Sequence, residues 1–177
     1  MGPTYVTAPV EILTPRFRLM ELSEGDVTPR YLGWLANPAA QRFIAAAQQT
    51  HELSALADYV RQRINRPDVL FLGIYDKLSG LHIGNIKFEP VDSVQGYAIV
   101  GILIGDPDFR GKGVATEALR ASCQWLKERR AIKDILLGVS LDNPGAIRAY
   151  EKVGFVVMDT PYIKNSNSGT LTMGLSL

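Results

Sequence analysis

The chain of 177 residues holds one cysteine, Cys123, and two histidines, His51 and His82. A single cysteine excludes a disulfide framework and suits a reducing compartment. Two distant histidines and one thiol cannot assemble a transition-metal site, and no metal is expected. His51-Glu52-Leu53-Ser54-Ala55 begins like the zinc-protease motif H-E-x-x-H but ends on Ala55. There is no long hydrophobic run: the longest mostly apolar stretch, residues 97–105, is about half of a membrane span. There is no excess of one charge either. Lys and Arg number 19 against 18 Asp and Glu, so neither nucleic acid nor an anionic membrane is an expected partner.

With 16 Gly and 10 Pro, no repeat and no linker, the composition is that of one ordered domain over residues 1–177. Met1-Gly2-Pro3-Thr4-Tyr5-Val6 carries Val6 where a myristoylation signal wants Ser or Thr. Pro9, Glu11 and Pro15 interrupt any apolar signal-peptide core. The expectation is a cytoplasmic protein, monomeric or homodimeric.

Hydrophobic period places the elements. Phe17–Glu21 reads as a strand. Asp26 looks like the cap of a short helix carrying Tyr31, Leu32, Trp34 and Leu35, stopped by Asn37-Pro38. Thr50 looks like the cap of a second helix, with Leu53, Leu56, Ala57, Val60 and Ile64 along one stripe. Residues 69–75 and 81–88 read as a hairpin about a turn at 77–80. Tyr97–Ile104 is apolar nearly throughout, as in a strand covered on both faces. A helix follows at 114–129, then the strand Asp134–Ser140. The helix Pro144–Val153 comes next, capped by Gly154, and strands at 155–158 and 171–175 end the chain. This order implies an α+β (mixed α/β) fold with a mixed sheet.

Between the apolar strand and the long helix lies Asp108-Phe109-Arg110-Gly111-Lys112-Gly113-Val114-Ala115-Thr116. Two glycines in three positions let successive N–H groups turn toward one point, at a helix start whose dipole favours an anion. From Arg110 to Lys133 there are seven basic residues against Glu117 and Glu128, so a neutral chain is basic here. Gly113 follows Lys112 where a P-loop needs Ser or Thr. Thr116 stands at the third glycine of a dinucleotide fingerprint, and no acid ends the next strand. A pyrophosphate cradle of another kind, or a glycine-rich turn without a ligand, remain.

Arg110-Gly111-Lys112-Gly113-Val114-Ala115 resembles the R/Q-x-x-G-x-G/A signature of the GCN5-related N-acetyltransferases (GNAT). About 30 residues later, Asn143-Pro144-Gly145-Ala146 through Tyr150-Glu151-Lys152-Val153-Gly154-Phe155 resembles that family's N-x-x-A-x-x-x-Y-x-K-x-G-F. Thr14-Pro15-Arg16-Phe17-Arg18-Leu19 and Leu171–Leu175 look like the ends of the subgroup with ribosomal-protein and amino-sugar acetyltransferases. The resemblance implies a mostly antiparallel sheet splayed between two parallel strands and flanked by helices. It implies acetyl-CoA as acyl donor, an amine acceptor, and direct transfer without a metal. Ile102 and Ile104 would pair with the pantetheine arm, and the Leu103 N–H would polarise the acyl carbonyl. The loop residues Arg110, Gly111, Lys112, Gly113, Val114, Ala115 and Thr116 would hold the pyrophosphate. Asn143 would bond the arm, Lys152 would approach a phosphate, and Tyr150 would protonate the departing thiolate.

One departure stands out. Residues 96–105 contain no carboxylate or histidine to serve as a general base. Glu89 is the candidate taken here, beside Asp92, His82, Asp106 and a water chain. Cys123 reads as a small core residue. Tyr31 and Trp34 read as core aromatics, and the resemblance implies that the first helices would wall the acceptor pocket, with residues 43–49 as its lip. The reading from another class is a CoA-binding sensor that has lost catalysis.

Overall fold

The computed structural model describes residues 8–43, 47, 51–164 and 169–177, and the backbone only at Phe43. The proposed cap Thr50, and all of the lip at 43–49 except the Phe43 backbone and Ala47, lie outside the residues so described.

The strands β1 (Glu11–Leu13), β2 (Phe17–Glu21), β3 (Leu70–Asp76), β4 (His82–Asp92) and β5 (Tyr97–Ile104) form an antiparallel meander. Then follow β6 (Asp134–Ser140), β7 (Val156–Val157) and β8 (Thr170–Ser176), giving one sheet in the order β1-β2-β3-β4-β5-β6-β8-β7. The mixed, mostly antiparallel α+β expectation stands, with β5 and β6 the parallel pair. The β3–β4 turn is closed by Asp76, whose Oδ2 accepts from the N–H and the hydroxyl of Ser79 at 2.9 and 2.6 Å.

The helices are α1 (Pro29–Ala36), α2 (Pro38–Phe43), α3 (Leu53–Arg61), α4 (Val114–Arg130) and α5 (Pro144–Val153). Asp26 does not cap α1. Thr28 does, its Oγ1 accepting from the Tyr31 N–H with Pro29 at the first helical position, while Asp26 accepts from Ser23 and from the Tyr75 hydroxyl. Asn37-Pro38 ends α1 but also starts α2, because Asn37 Oδ1 accepts from the Ala39 N–H.

Helix α4 buries Val114, Ala118, Leu119, Ser122, Cys123 and Leu126 against the main core. Each such leucine contributes roughly 1.5–3 kcal/mol by leaving water. A second apolar cluster, with Tyr31, Trp34, Leu35, Leu56 and Val60, joins α1 and α3 to the sheet. Leu103 packs against this cluster, whereas Ile102 and Ile104 pack against the main core. The two faces of β5 therefore look toward different layers.

Candidate active site

Strands β5 and β6 are in register only from Tyr97↔Asp134 to Ile99↔Leu136. Beyond that, β5 stays with β4 as far as Gly84↔Ile104, and β6 stays with β8 as far as Ser140↔Thr170. The two strands part, and one edge of β5 is left without a neighbouring strand among the described residues. Alternation decides which groups line that edge. The Gly96 carbonyl accepts from Asp134 on the β6 side, and the Gly105 N–H donates to Ile83 on the β4 side. Even-numbered residues therefore present N–H and C=O to the gap: Val100, Ile102 and Ile104. Leu103, expected to supply an N–H there, turns its backbone to Asn85 of β4 and its side chain to the second cluster.

At the end of β5 the loop turns on two left-handed glycines, Gly111 (φ +69°) and Gly113 (φ +77°), where any other residue is strained. A Cβ on Gly111 would meet nothing within 4 Å, so space lies open over the loop. The first amides of α4, next along the chain, have no partner within the helix. Arg110 Nε and Nη2 donate to the Ile104 and Gly105 carbonyls at 3.0 Å, which ties the loop to the end of β5. The Lys112 carbonyl accepts from Arg16 Nη1 at 2.9 Å, while its side chain is exposed. Arg16 belongs to a clamp that the sequence reading did not contain. Glu117 in the first turn of α4 accepts from Thr14 Oγ1, the Arg16 N–H and Arg16 Nε at 2.7, 2.9 and 2.7 Å.

Asn143 caps α5, its Oδ1 accepting from the Ala146 N–H at 3.2 Å, which leaves the amide NH2 to donate elsewhere. Tyr150 is buried, packed against the Phe155 ring with centroids 5.7 Å apart. Burial pushes its hydroxyl up to about 12, so it carries its proton at neutral pH. Lys152 is exposed at the far end of the same helix from Asn143, its carbonyl accepting from Arg120 Nη2.

Glu89 lies on the bulge of β4, where the pairing with β5 shifts between Phe88 and Val91. Arg63, Lys87 and Arg66 surround its carboxylate at 2.9, 3.0 and 3.3 Å. Burial opposes its ionisation, but the hydrogen bonds from Lys87 and Arg63 outweigh this and hold it below the usual carboxylate range. A carboxylate bound to three cations is a poor proton acceptor. Asp92 is spent on the turn, accepting from the Val94 and Gln95 N–H groups. Asp106 caps the short turn at Pro107–Phe109 and pairs with Arg30 of α1. His82 sits beneath α1, its ring stacked on Tyr75.

Known proteins resemble this chain in sequence and in fold. Residues 16–156 match the acetyltransferase (GNAT) domain. The chain is 35% identical over 92 residues to a mycothiol acetyltransferase of Corynebacterium efficiens, covering 52% of this chain and 29% of that one. It is 30% identical over 90 residues to N-alpha-acetyltransferase 30 of Schizosaccharomyces pombe, covering 50% and 58%. The matched stretches thus span less than two thirds of these relatives' own lengths. Among solved structures, RimL, the ribosomal L7/L12 alpha-N-protein acetyltransferase with coenzyme A, superposes with a TM-score of 0.81 at 16% identity, over 95% and 98% of the two chains. The spermidine N-acetyltransferase of Vibrio cholerae with CoA and spermine gives 0.68 at 19%, over 90% and 95%. These structures share the fold. From the match over residues 16–156, the chain belongs to the GNAT acetyltransferase family.

Proposed function

We propose that residues 1–177 form one acetyl-CoA-dependent N-acetyltransferase domain, which moves the acetyl group directly from the thioester to a primary amine of a small molecule or a protein N-terminus. The parting of β5 and β6 beside a loop of two left-handed glycines carries this reading. The pantetheine arm extends along Val100, Ile102 and Ile104 like an added strand, and Asn143 donates its free amide to it. The amides of Gly111, Lys112, Gly113, Val114, Ala115 and Thr116 hold the pyrophosphate, with charge from the Lys112 side chain. Arg110 contributes by bracing the loop, and Lys152 lies where a long cationic side chain reaches out into solvent. The acyl carbonyl is polarised by the Ile102 N–H, which faces the gap, in place of Leu103.

The amine attacks the acetyl carbonyl from the α1 side. Its bond to carbon forms, the carbon–sulfur bond breaks, and Tyr150 Oη gives its proton to the departing thiolate. The amine's surplus proton leaves to water, Tyr150 recovers a proton from water in turn, and Glu89 takes no part. Neither a metal nor a nucleic acid enters the scheme. A lone buried thiol, Cys123, fits a cytoplasmic setting.

Acetyl transfer over an amine panel, with wild type and Tyr150→Phe, tests the reading. The expected result is transfer by the wild type, and a kcat lower by about 10²–10⁴-fold in Tyr150→Phe with the acetyl-CoA KM unchanged. Unchanged activity in that variant removes the acid role. Binding of CoA without transfer to any amine makes the domain a catalytically silent CoA sensor.

A further inference from the structure

Strand pairing sets Met20, Gly73, Asn85 and Leu103 in one row across β2, β3, β4 and β5. Directly paired residues share a face of the sheet. Leu103 packs against the cluster containing Tyr31 and Trp34, so this is the face beneath α1. Asn85 is 4% exposed there.

Its amide is held at one end only. Asn85 Oδ1 lies 2.7 Å from His82 Nε2. The His82 ring is fixed by stacking on Tyr75 (centroids 4.9 Å, 21°) and by the edge contacts of Trp34 and Tyr31 at 4.9 and 5.6 Å. Tyr75 in turn donates to Asp26, and Arg30 Nε donates to the His82 carbonyl at 3.1 Å. Asp26 and Arg30 are the charged groups that act on His82, with opposite effects, and burial holds the imidazole below its usual range and neutral. A Cβ on Gly73 would stand 2.8 Å from Tyr75 Cε2, so the Tyr75 ring covers the β3 side of Asn85. His82 and Tyr75 therefore hold one end of the amide, in the row where Asn85 pairs with Leu103 of β5, and leave the other end unsupported.

That other end is the nitrogen Nδ2, and it has no partner. Among the described residues it is the one fully buried side-chain nitrogen or oxygen in that state. Buried donors are nearly always satisfied, and an unmade bond of this kind is costly to keep. The rigid His82–Tyr75–Asp26 support holds the donor in place, as a ligand-binding group needs.

We propose that Asn85 Nδ2 binds the amine acceptor, donating a hydrogen bond to an oxygen that the acceptor carries beside its attacking amine. This assignment rests on the N-acetyltransferase reading and makes it more specific. The acceptor class is then amines with a neighbouring carbonyl or hydroxyl oxygen, in preference to plain alkyl amines.

The test uses the full chain and two amines of matched shape, L-alaninamide and 3-methyl-2-butylamine, with wild type and Asn85→Asp. Aspartate keeps an oxygen for His82 and removes the N–H donor. The wild type is expected to favour alaninamide in kcat/KM by on the order of tenfold. Asn85→Asp is expected to lose that preference through the acceptor KM, with the acetyl-CoA KM unchanged. In the CoA-saturated wild type, the Asn85 side-chain NH2 resonance should shift with alaninamide and stay put with 3-methyl-2-butylamine. That readout holds even where the variant fails to fold. Equal use of the two amines, a preference that survives Asn85→Asp, or an unmoved resonance overturns the assignment and leaves acetyl transfer standing. No transfer to any amine overturns the acetyltransferase reading, and this assignment falls with it.

Discussion

Replacing Glu117 by glutamine strikes the joint between the first strand pair and the phosphate loop. The carboxylate is 18% exposed and accepts three hydrogen bonds, two at Oε1 from Thr14 and the Arg16 N–H, one at Oε2 from Arg16 Nε. Glutamine keeps Oε1 for the first two but sets an NH2 against Arg16 Nε, donor against donor. One charge-assisted bond is lost, discounted because Arg16 is 48% exposed. We expect a loss of about 1–2 kcal/mol, a fall of about 3–6 °C in Tm at neutral pH. Arg16 also holds the Lys112 carbonyl, so the acetyl-CoA KM should rise several-fold with kcat little changed. The pH dependence follows from the folded pKa. Burial raises it, but the bonds from Thr14 and Arg16 outweigh burial and place it below the usual 4.5. A lowered folded pKa stabilises above the unfolded value, and that contribution disappears as pH falls through the folded one. The gap between wild type and Glu117→Gln in thermal denaturation should therefore close below about pH 4. An equal gap at pH 3 and pH 7 refutes the electrostatic argument. A lower Tm with an unchanged KM refutes the coupling to the loop.

Two further outcomes follow from packing. A Cβ on Gly105 would fall 1.9 Å from Trp34 Cδ2, so Gly105→Ala must displace the indole, at a cost of at least about 2 kcal/mol. A changed tryptophan emission with a lower Tm is expected, and neither changing would contradict the packing of α1 on β5. Cys123 is buried and its thiol is pushed up to about 12, so a disulfide reagent should label it only as fast as the domain opens. Labelling within seconds in the native state would contradict this.

Where punctuation is local, the sequence was readable. Pro144 and Gly154 bracket α5 to the residue, and Gly154 takes the left-handed conformation at φ +114°. Tyr97–Ile104 and Asp134–Ser140 are also strands over the expected spans. The apolar run of β5 has a layer on each face, but the cover thins beyond Val100. Gly101 is exposed and residues 102–104 are only half-buried, because this stretch borders the gap. The strand β1 escaped notice because three residues with one buried side chain, Ile12, carry no period. Asp26 and Thr28 are both capping types two residues apart; Pro29 at the first helical position marks Thr28 as the cap of α1, while Ser23 and the Tyr75 hydroxyl engage Asp26.

The site divides in the same way. The left-handed glycines Gly111 and Gly113 and the Asn143 cap of α5 are local conformations that a motif states. Whether Leu103 or Ile102 faces the gap is a matter of ladder parity, which no motif states. Glu89 looked like a base because it is near in sequence, but Arg63 and Arg66, beyond α3, occupy it. The Asn85 amide stands out only once His82, Tyr75 and Leu103 are placed around it.

The central claim is tested most directly by a crystal structure of the domain with acetyl-CoA. The account predicts the pantetheine arm along Val100, Ile102 and Ile104, the pyrophosphate on the amides of residues 111–116, and the sulfur within hydrogen-bond reach of Tyr150 Oη. Acetyl-CoA seated away from the β5–β6 gap, or a sulfur out of reach of Tyr150, would contradict it.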